Sequence, residues 1–384
     1  MRLLLTFLLT TTALAQYIQP SHTTESLRGV SSVSAKTAWA SGTHGTYLRT
    51  TDAGAHWQAA QVPGAEALDF RAVVAFSADE AFLMSAGPGD QSRIYHTVDA
   101  GQHWQLQFKN ENPKGFFDSM IFFDRTHGVA LGDPVPDETG KLKFELLTTE
   151  DGQTWQSIPP AQLPPAVEGE GAFAASNSCL AVVPVSGPKS PWKSGASAPA
   201  AATTSPRDPF KNSAPSRDAN LHTDTVPDHN LWFATGGSVA RVFHSPDRGQ
   251  TWEVFNTPIV HGADSTGIFS IAFRDPFHGV IAGGDYKHPD QDGPNLAFTN
   301  DGGKTWTLSP IKPQAFFSAA AYDRKNPQRL FLVAQDFIYE VSTPSRPHRT
   351  DLPKISATKL NAASPNPAGG ALLVGSKGEI LSIP

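Results

Sequence analysis

The chain has 384 residues, 39% hydrophobic and 17% charged, with 32 Gly and 32 Pro, a globular, turn-rich composition with ample apolar material for a core. A formal net charge of −6 leaves no basic footprint, so nucleic acid is excluded as an expected partner, and the charge is too mild to demand a dedicated cationic one. Cys179 is the single cysteine, so no intramolecular disulfide is available, and its apolar run "SCLAVV" predicts a buried, inert thiol.

Residues 1–15 read as a secretory signal peptide. Arg2 gives the positive start, Leu3 to Leu9 the apolar stretch, and Ala13-Leu14-Ala15 a small-residue cleavage site before Gln16. The stretch is too short to span a bilayer, and no later apolar run approaches about 20 residues. No cysteine follows the cleavage site, which argues against a lipoprotein anchor. The expectation is a soluble mature chain of residues 16–384, cleaved after Ala15 and exported to a periplasm or secreted.

From residue 50 an eight-residue pattern recurs: "TTDAGAHW" (50–57), "TVDAGQHW" (97–104), "TTEDGQTW" (148–155), "SPDRGQTW" (245–252) and "TNDGGKTW" (299–306). Its acidic position is Asp52, Asp99, Glu150, Asp247 and Asp301, at spacings of 47, 51, 97 and 54 residues. The long gap holds residues 184–228, a Pro/Ala/Ser-rich segment whose composition predicts a disordered insertion; without its 45 residues the spacing falls to 52. A period in this range signals stacked supersecondary units such as propeller blades. Five copies point to a structural device, since an enzyme needs one active site. The Asp can cap its own turn. Gly54, Gly101, Gly152, Gly249 and Gly303 can take positive φ. Trp57, Trp104, Trp155, Trp252 and Trp306 can bury a large ring at the start of the next strand. In the third copy Asp151 is expected to cap in place of Glu150.

Around each box lie four short apolar or β-branched runs bounded by Gly, Pro and Asp, hence four strands per unit. Two further units, 316–342 and 358–383, keep the strands without the box. The last ends after its third strand, and "YIQPSHT" (17–23) is free to supply the fourth. The expected fold is all-β: a single seven-bladed β-propeller of four-stranded antiparallel blades, closed by the N-terminal strand.

The repeated pattern resembles the BNR or Asp-box, Ser/Thr-x-Asp-x-Gly-x-Thr-Trp, with His56 and His103 standing at the Thr position. With "ESLRGVSSVSAKTAWASGTHGTYLRTTDAG" in its first blade, the whole mature chain is similar to the photosystem II assembly-factor propellers and their non-photosynthetic bacterial relatives, which often carry glycosyl hydrolase or oxidoreductase labels. That resemblance implies boxes on the side away from the working face, and a chaperone that binds a membrane-protein subunit. Sialidases fit less well, because their Arg-Ile-Pro motif is matched only by Arg93-Ile94-Tyr95. Xyloglucanases of this type need about twice the length, and sortilin-type receptors need a cysteine-rich module.

Function is therefore expected on the opposite face, in the loops from strand two to three and between blades. Arg28 and Arg71 occupy equivalent positions at the start of two innermost strands. They form either a clamp for a carboxylate or acidic peptide tail, or inter-blade salt bridges with Asp69 or Asp118. His44, Asp118 and Tyr286 are further binding candidates. Asp133, Glu138, Asp285 and His288 lie in the two long loops and are the candidates if the protein is a glycoside hydrolase. Acids in those loops could also ligate Ca²⁺ or simply build solvated turns. No zinc spacing, Walker loop, dinucleotide fingerprint or nucleophile elbow occurs, so neither cofactor nor metal is expected. The leading expectation is a monomeric, non-catalytic exported scaffold that binds a protein or peptide partner, such as a membrane-protein subunit, and assembles an envelope complex. A glycoside hydrolase or sialidase-like enzyme and a lectin-like glycan binder are the alternatives.

Overall fold

The computed structural model describes residues 18–184, 229–310, 312–341, 347–350 and 359–384. The expected signal peptide and residues 185–228 of the expected insertion lie outside them. The chain forms seven antiparallel sheets with their strands in sequence order. Blade 1 comprises Leu27–Ser32, Ala38–Gly42, Thr46–Thr50 and Gln58–Gln61. The first strands of blades 2 to 7 are Phe70–Ala75, Phe117–Phe122, Leu180–Pro184, Thr266–Phe273, Ala319–Tyr322 and Leu360–Pro365. Each packs on the first strand of the next blade, and that of blade 7 on that of blade 1, so the first strands line the central axis. Two two-residue strands, Glu170–Gly171 and Gly236–Gly237, extend the sheet of blade 5. The long insertion leaves from the first hairpin of blade 4, where Pro184 pairs with His229.

Blade 7 contributes three strands of its own, and the N-terminal segment takes the fourth position, as expected. Ile18 bridges Leu381 antiparallel, and the Gln19 N–H donates to the Ile380 carbonyl at 2.9 Å. No edge is left at the seam.

The strand two to strand four gradient follows from blade stacking. Both faces of a blade pack on neighbours, so second strands such as Ala38–Gly42 and Ala81–Ser85 are buried at every residue. They read as continuous apolar runs rather than alternating ones. The fourth strand of blade 1, Gln58–Gln61, is exposed throughout at the rim. Seven apolar clusters result, one between each pair of blades. Trp39 and Tyr47 of blade 1 meet Phe70 and Leu83 of blade 2; Leu27 and Leu48 meet Leu372 and Val374 of blade 7. Each such side chain contributes about 1.5–3 kcal/mol on burial.

In the box turns, Asp52 Oδ1 accepts the His56 N–H at 2.9 Å, and Gly54 has φ +84° and donates its N–H to Thr50 Oγ1 at 3.0 Å. His56 Nδ1 lies 2.7 Å from Asp52 Oδ2, the acceptor that the Thr251 and Thr305 hydroxyls reach in their own boxes. The histidine nitrogen thus replaces a hydroxyl donor. In the third box Asp151, not Glu150, accepts the Gln153 and Thr154 N–H groups, both at 2.8 Å. Several box carbonyls also accept a side chain from the preceding blade. Tyr47 donates to Gly101, Gln107 to Gly152, and Trp232 to Gly302, at 2.9, 3.0 and 2.9 Å. Gln19 does the same for blade 1, donating to the Ala53 carbonyl at 3.1 Å while its oxygen accepts Trp57 Nε1 at 2.9 Å. The box clasps one blade to the next.

Candidate functional site: a cup at the mouth of the axis

On the face opposite the boxes, a cavity of about 470 Å³ sits on the axis. Residues from every blade, or from the segment leading into it, line it: Arg28, Arg71, Asp118, Ala174, Phe269, Ser318 and Asn361. The backbone explains why these side chains converge. In five blades the pairing of strands one and two slips by one residue, and the skipped residues are Arg28, Arg71, Asp118, Phe269 and Asn361. A β-bulge leaves its extra residue unpaired and re-aims its side chain. Here five bulges aim at one axis.

Blade 4 departs from this plan. Its lead-in, residues 172–178, runs across the mouth as a strap. The Ala172 N–H donates to Asp133 Oδ1 at 2.9 Å, and Arg71 Nη1 donates to the Ala174 carbonyl at 3.2 Å. Ser176 Oγ donates to the Ser318 carbonyl at 2.6 Å. Asn177 Oδ1 accepts the Ser119 hydroxyl at 2.9 Å and the Met120 N–H at 2.7 Å. The strap therefore touches blades 2, 3 and 6.

The cup's charges range from half-buried, at Arg71 and Asp69, to fully buried, at Asp118. Arg71 Nε pairs with Asp69 Oδ2 at 2.8 Å, a contact within blade 2 rather than between blades. Arg28 Nε is buried without a hydrogen-bond partner. Burial, then repulsion from Arg71, lowers the Arg28 pKa, with Asp69 acting the other way. Asp118 is 1% exposed with Oδ2 unpartnered. Its burial, followed by repulsion from Asp133, holds its carboxyl well above the usual range, while Arg71 opposes the shift. Asp133 is pushed up to about 6 by burial, with the Ala172 N–H opposing and Glu145 adding to the rise. As pH falls through about 6 Asp133 takes up a proton, and the balance of charge in the cup moves toward the guanidinium groups.

Of the binding candidates, Arg28, Arg71, Asp118 and Tyr286 all line the cup. His44 does not; it is exposed on blade 1 with Nδ1 2.7 Å from Glu25 Oε2. Of the acidic-loop candidates only Asp133 lines it. Glu138 is exposed in the turn closed by Asp137 and Lys141, and His288 Nδ1 pairs with Asp285 Oδ2 at 2.7 Å. These four groups do not share one cavity. Cys179 is buried and its thiol is pushed up to about 12 by burial, which makes it inert. Phe269, Asn361 and the strap were not singled out from sequence. The signal was present: each bulge residue sits in an apolar–variable–small triplet (Leu27-Arg28-Gly29, Phe70-Arg71-Ala72, Phe117-Asp118-Ser119, Ile268-Phe269-Ser270, Leu360-Asn361-Ala362).

Seven blades with five Asp-box turns define a BNR-repeat β-propeller. Residues 15–115 match the family described as Photosynthesis system II assembly factor YCF48. Over 297 residues the chain is 26% identical to Photosystem II assembly protein Ycf48 of Synechococcus sp. (strain JA-2-3B'a(2-13)), covering 64% of this chain and 78% of that one. Among solved structures, one titled "YCF48 bound to D1 peptide" superposes with a TM-score of 0.59 at 15% identity, covering 96% of this chain and 94% of that one. YCF48 from Cyanidioschyzon merolae gives 0.55 at 16% identity, with 95% and 97% covered. The GH74 xyloglucanase from Xanthomonas campestris gives 0.54 at 16% identity, covering 94% of this chain and 53% of that one. At these identities the structural matches speak for the fold alone. Taken with the fold, the sequence matches make the chain a BNR propeller that is similar to the Ycf48 proteins.

Proposed function

We propose that the protein is a non-catalytic scaffold whose cup binds an anionic peptide segment of a partner, and that it serves as an assembly factor for a membrane complex after export from the cytoplasm. One observation carries this reading: Arg28 and Arg71, bulge residues of adjacent blades, converge on one cavity, and Arg28 Nε is buried there without a partner. A desolvated guanidinium is costly unless it meets an anion, and planar, multi-donor arginine suits a carboxylate. The similarity to Ycf48 assembly proteins supports the class of partner, since a solved Ycf48 is described as bound to a D1 peptide. Export is supported by the signal-like residues 1–15.

The test is affinity capture from a detergent extract of host membranes, with residues 16–384 as bait beside an Arg28→Ala/Arg71→Ala double variant. A dominant membrane-protein partner retained by the native bait and lost with the variant is expected. Equal capture by both would remove the cup from the account. Export is checked by N-terminal mass analysis of the host protein, which should begin at Gln16; an intact Met1 on the isolated protein would contradict it.

A further inference from the structure

The cup has two unlike halves. The arginines come from blades 1 and 2, with Lys359 in the lead-in to blade 7. Blades 5 and 6 and the strap supply a continuous aromatic wall. Phe269 stacks face to face on Phe173 (3.8 Å between ring centroids, 10° between planes). Its edges meet Phe316 at 4.6 Å and 89° and Tyr286 at 6.0 Å and 77°. Aromatic side chains near a propeller axis commonly do no more than fill the core. Tyr286 does not fit that description, because it is 44% exposed. Among the described residues it is the one exposed large apolar side chain that lines the cup. Phe269 behind it is 3% exposed, and Lys287, itself paired with Asp264 at 2.9 Å, stands over the Tyr286 ring at 5.9 Å. The wall is packed from behind and offers its open surface to the cavity.

A few placed polar groups beside an apolar wall are the makings of a selective site. We propose that the wall is a specificity subsite, which takes an aromatic or large aliphatic side chain adjacent to the carboxylate held by Arg28 and Arg71. The segment recognised is then an acidic group next to an apolar residue, not an acidic tract. Asp118 and Asp133 lie in the same lining and would face any second or third carboxylate, whereas a single anion with a ring on the wall avoids them. The inference rests on the peptide-binding reading above, and the carboxylate can belong to a side chain or to a chain terminus.

The test is fluorescence anisotropy of residues 16–384 with labelled octapeptides in a common Gly/Ser frame. Three are amidated and carry internal Phe-Asp, Ala-Asp or Asp-Asp-Asp; a further pair ends in Phe as free acid or amide. Phe-Asp, or the terminal Phe acid, is expected to bind at least about tenfold tighter than Ala-Asp and Asp-Asp-Asp. Whichever of the two wins assigns the carboxylate to a side chain or to a terminus. Tyr286→Ala removes an exposed ring and should abolish most of the advantage of Phe-Asp over Ala-Asp; Phe173→Leu should reduce it in part. Equal affinity for Phe-Asp and Ala-Asp, both lost in the double arginine variant, would overturn the subsite and leave peptide binding standing. A preference for Asp-Asp-Asp would overturn it as well. No binding by any peptide would overturn both readings together.

Discussion

At the scale of single residues, the box aspartates and the cup aspartates share a chemistry and differ in environment. Asp52 and Asp99 are held down to about 2, first by the backbone N–H of the histidine four residues on and then by its ring. Asp151 is held to about 2 by the Thr154 and Gln153 N–H groups. A carboxyl depressed in the folded state stabilises it above the ordinary value of 3.8, and that contribution is lost as pH falls toward 2. Thermal melts should therefore lose midpoint steeply between pH 4 and pH 2, and Asp52→Asn should flatten that loss; an unchanged acid limb in the variant would contradict the assignment. His56→Thr keeps a donor for Asp52 Oδ2 and should change stability at neutral pH by less than about 0.5 kcal/mol. Asp133 runs the other way. With its pKa raised to about 6, its contribution is present below the ordinary carboxylate range and is lost as pH rises through 6. An anion in the cup raises Asp118 and Asp133 further, so an anionic peptide should bind more tightly at pH 6 than at pH 8. Affinity that is flat over that window would show the pair to be uncoupled from the ligand.

At the scale of elements, the strap and the bulges make the cup. Asn177 has φ +59° and accepts two hydrogen bonds through one side-chain oxygen. Asn177→Ala removes both acceptor contacts and puts a residue less tolerant of that conformation at the position, so denaturant unfolding should show a loss of about 1–3 kcal/mol. Unchanged stability would mean that the strap is not anchored there. Strand number, blade order, the box turns and the N-terminal closure were legible in the sequence because each is written in local pattern: apolar runs, Asp-x-Gly turns, a fixed period. The strap was not, since "GAFAASNSC" carries no periodicity and its partners Arg71, Asp133 and Ser318 are more than 35 residues away in sequence. The arginines were found because equivalent positions in two blades matched, while Phe269 was hidden by being one apolar residue among many. His44 sits in a loop on the same face, and only three-dimensional placement shows that it turns toward Glu25.

At the scale of the whole molecule, closure is a chain of clasps ending at the seam. Gln19 belongs to the segment that pairs with blade 7, yet it bonds to both the backbone and the tryptophan of the first box. Gln19→Ala would strand the indole N–H of Trp57, which is 3% exposed, and should cost about 1–3 kcal/mol while leaving unfolding a single transition. Two separated transitions would show instead that the ring melts blade by blade. A closed, rigid ring can hold the cup's seven contributors in register, which is why binding is assigned to the axis and structure to the box face. The most direct measurement is photo-crosslinking with benzoylphenylalanine placed singly at Gln335, at the cup, and at Val98, which is 66% exposed in the second box on the opposite face. Crosslinks from Gln335 to one acidic segment of a membrane-protein partner, with none from Val98, are expected. The same partner captured from Val98 and not from Gln335 would contradict the assignment of the binding face.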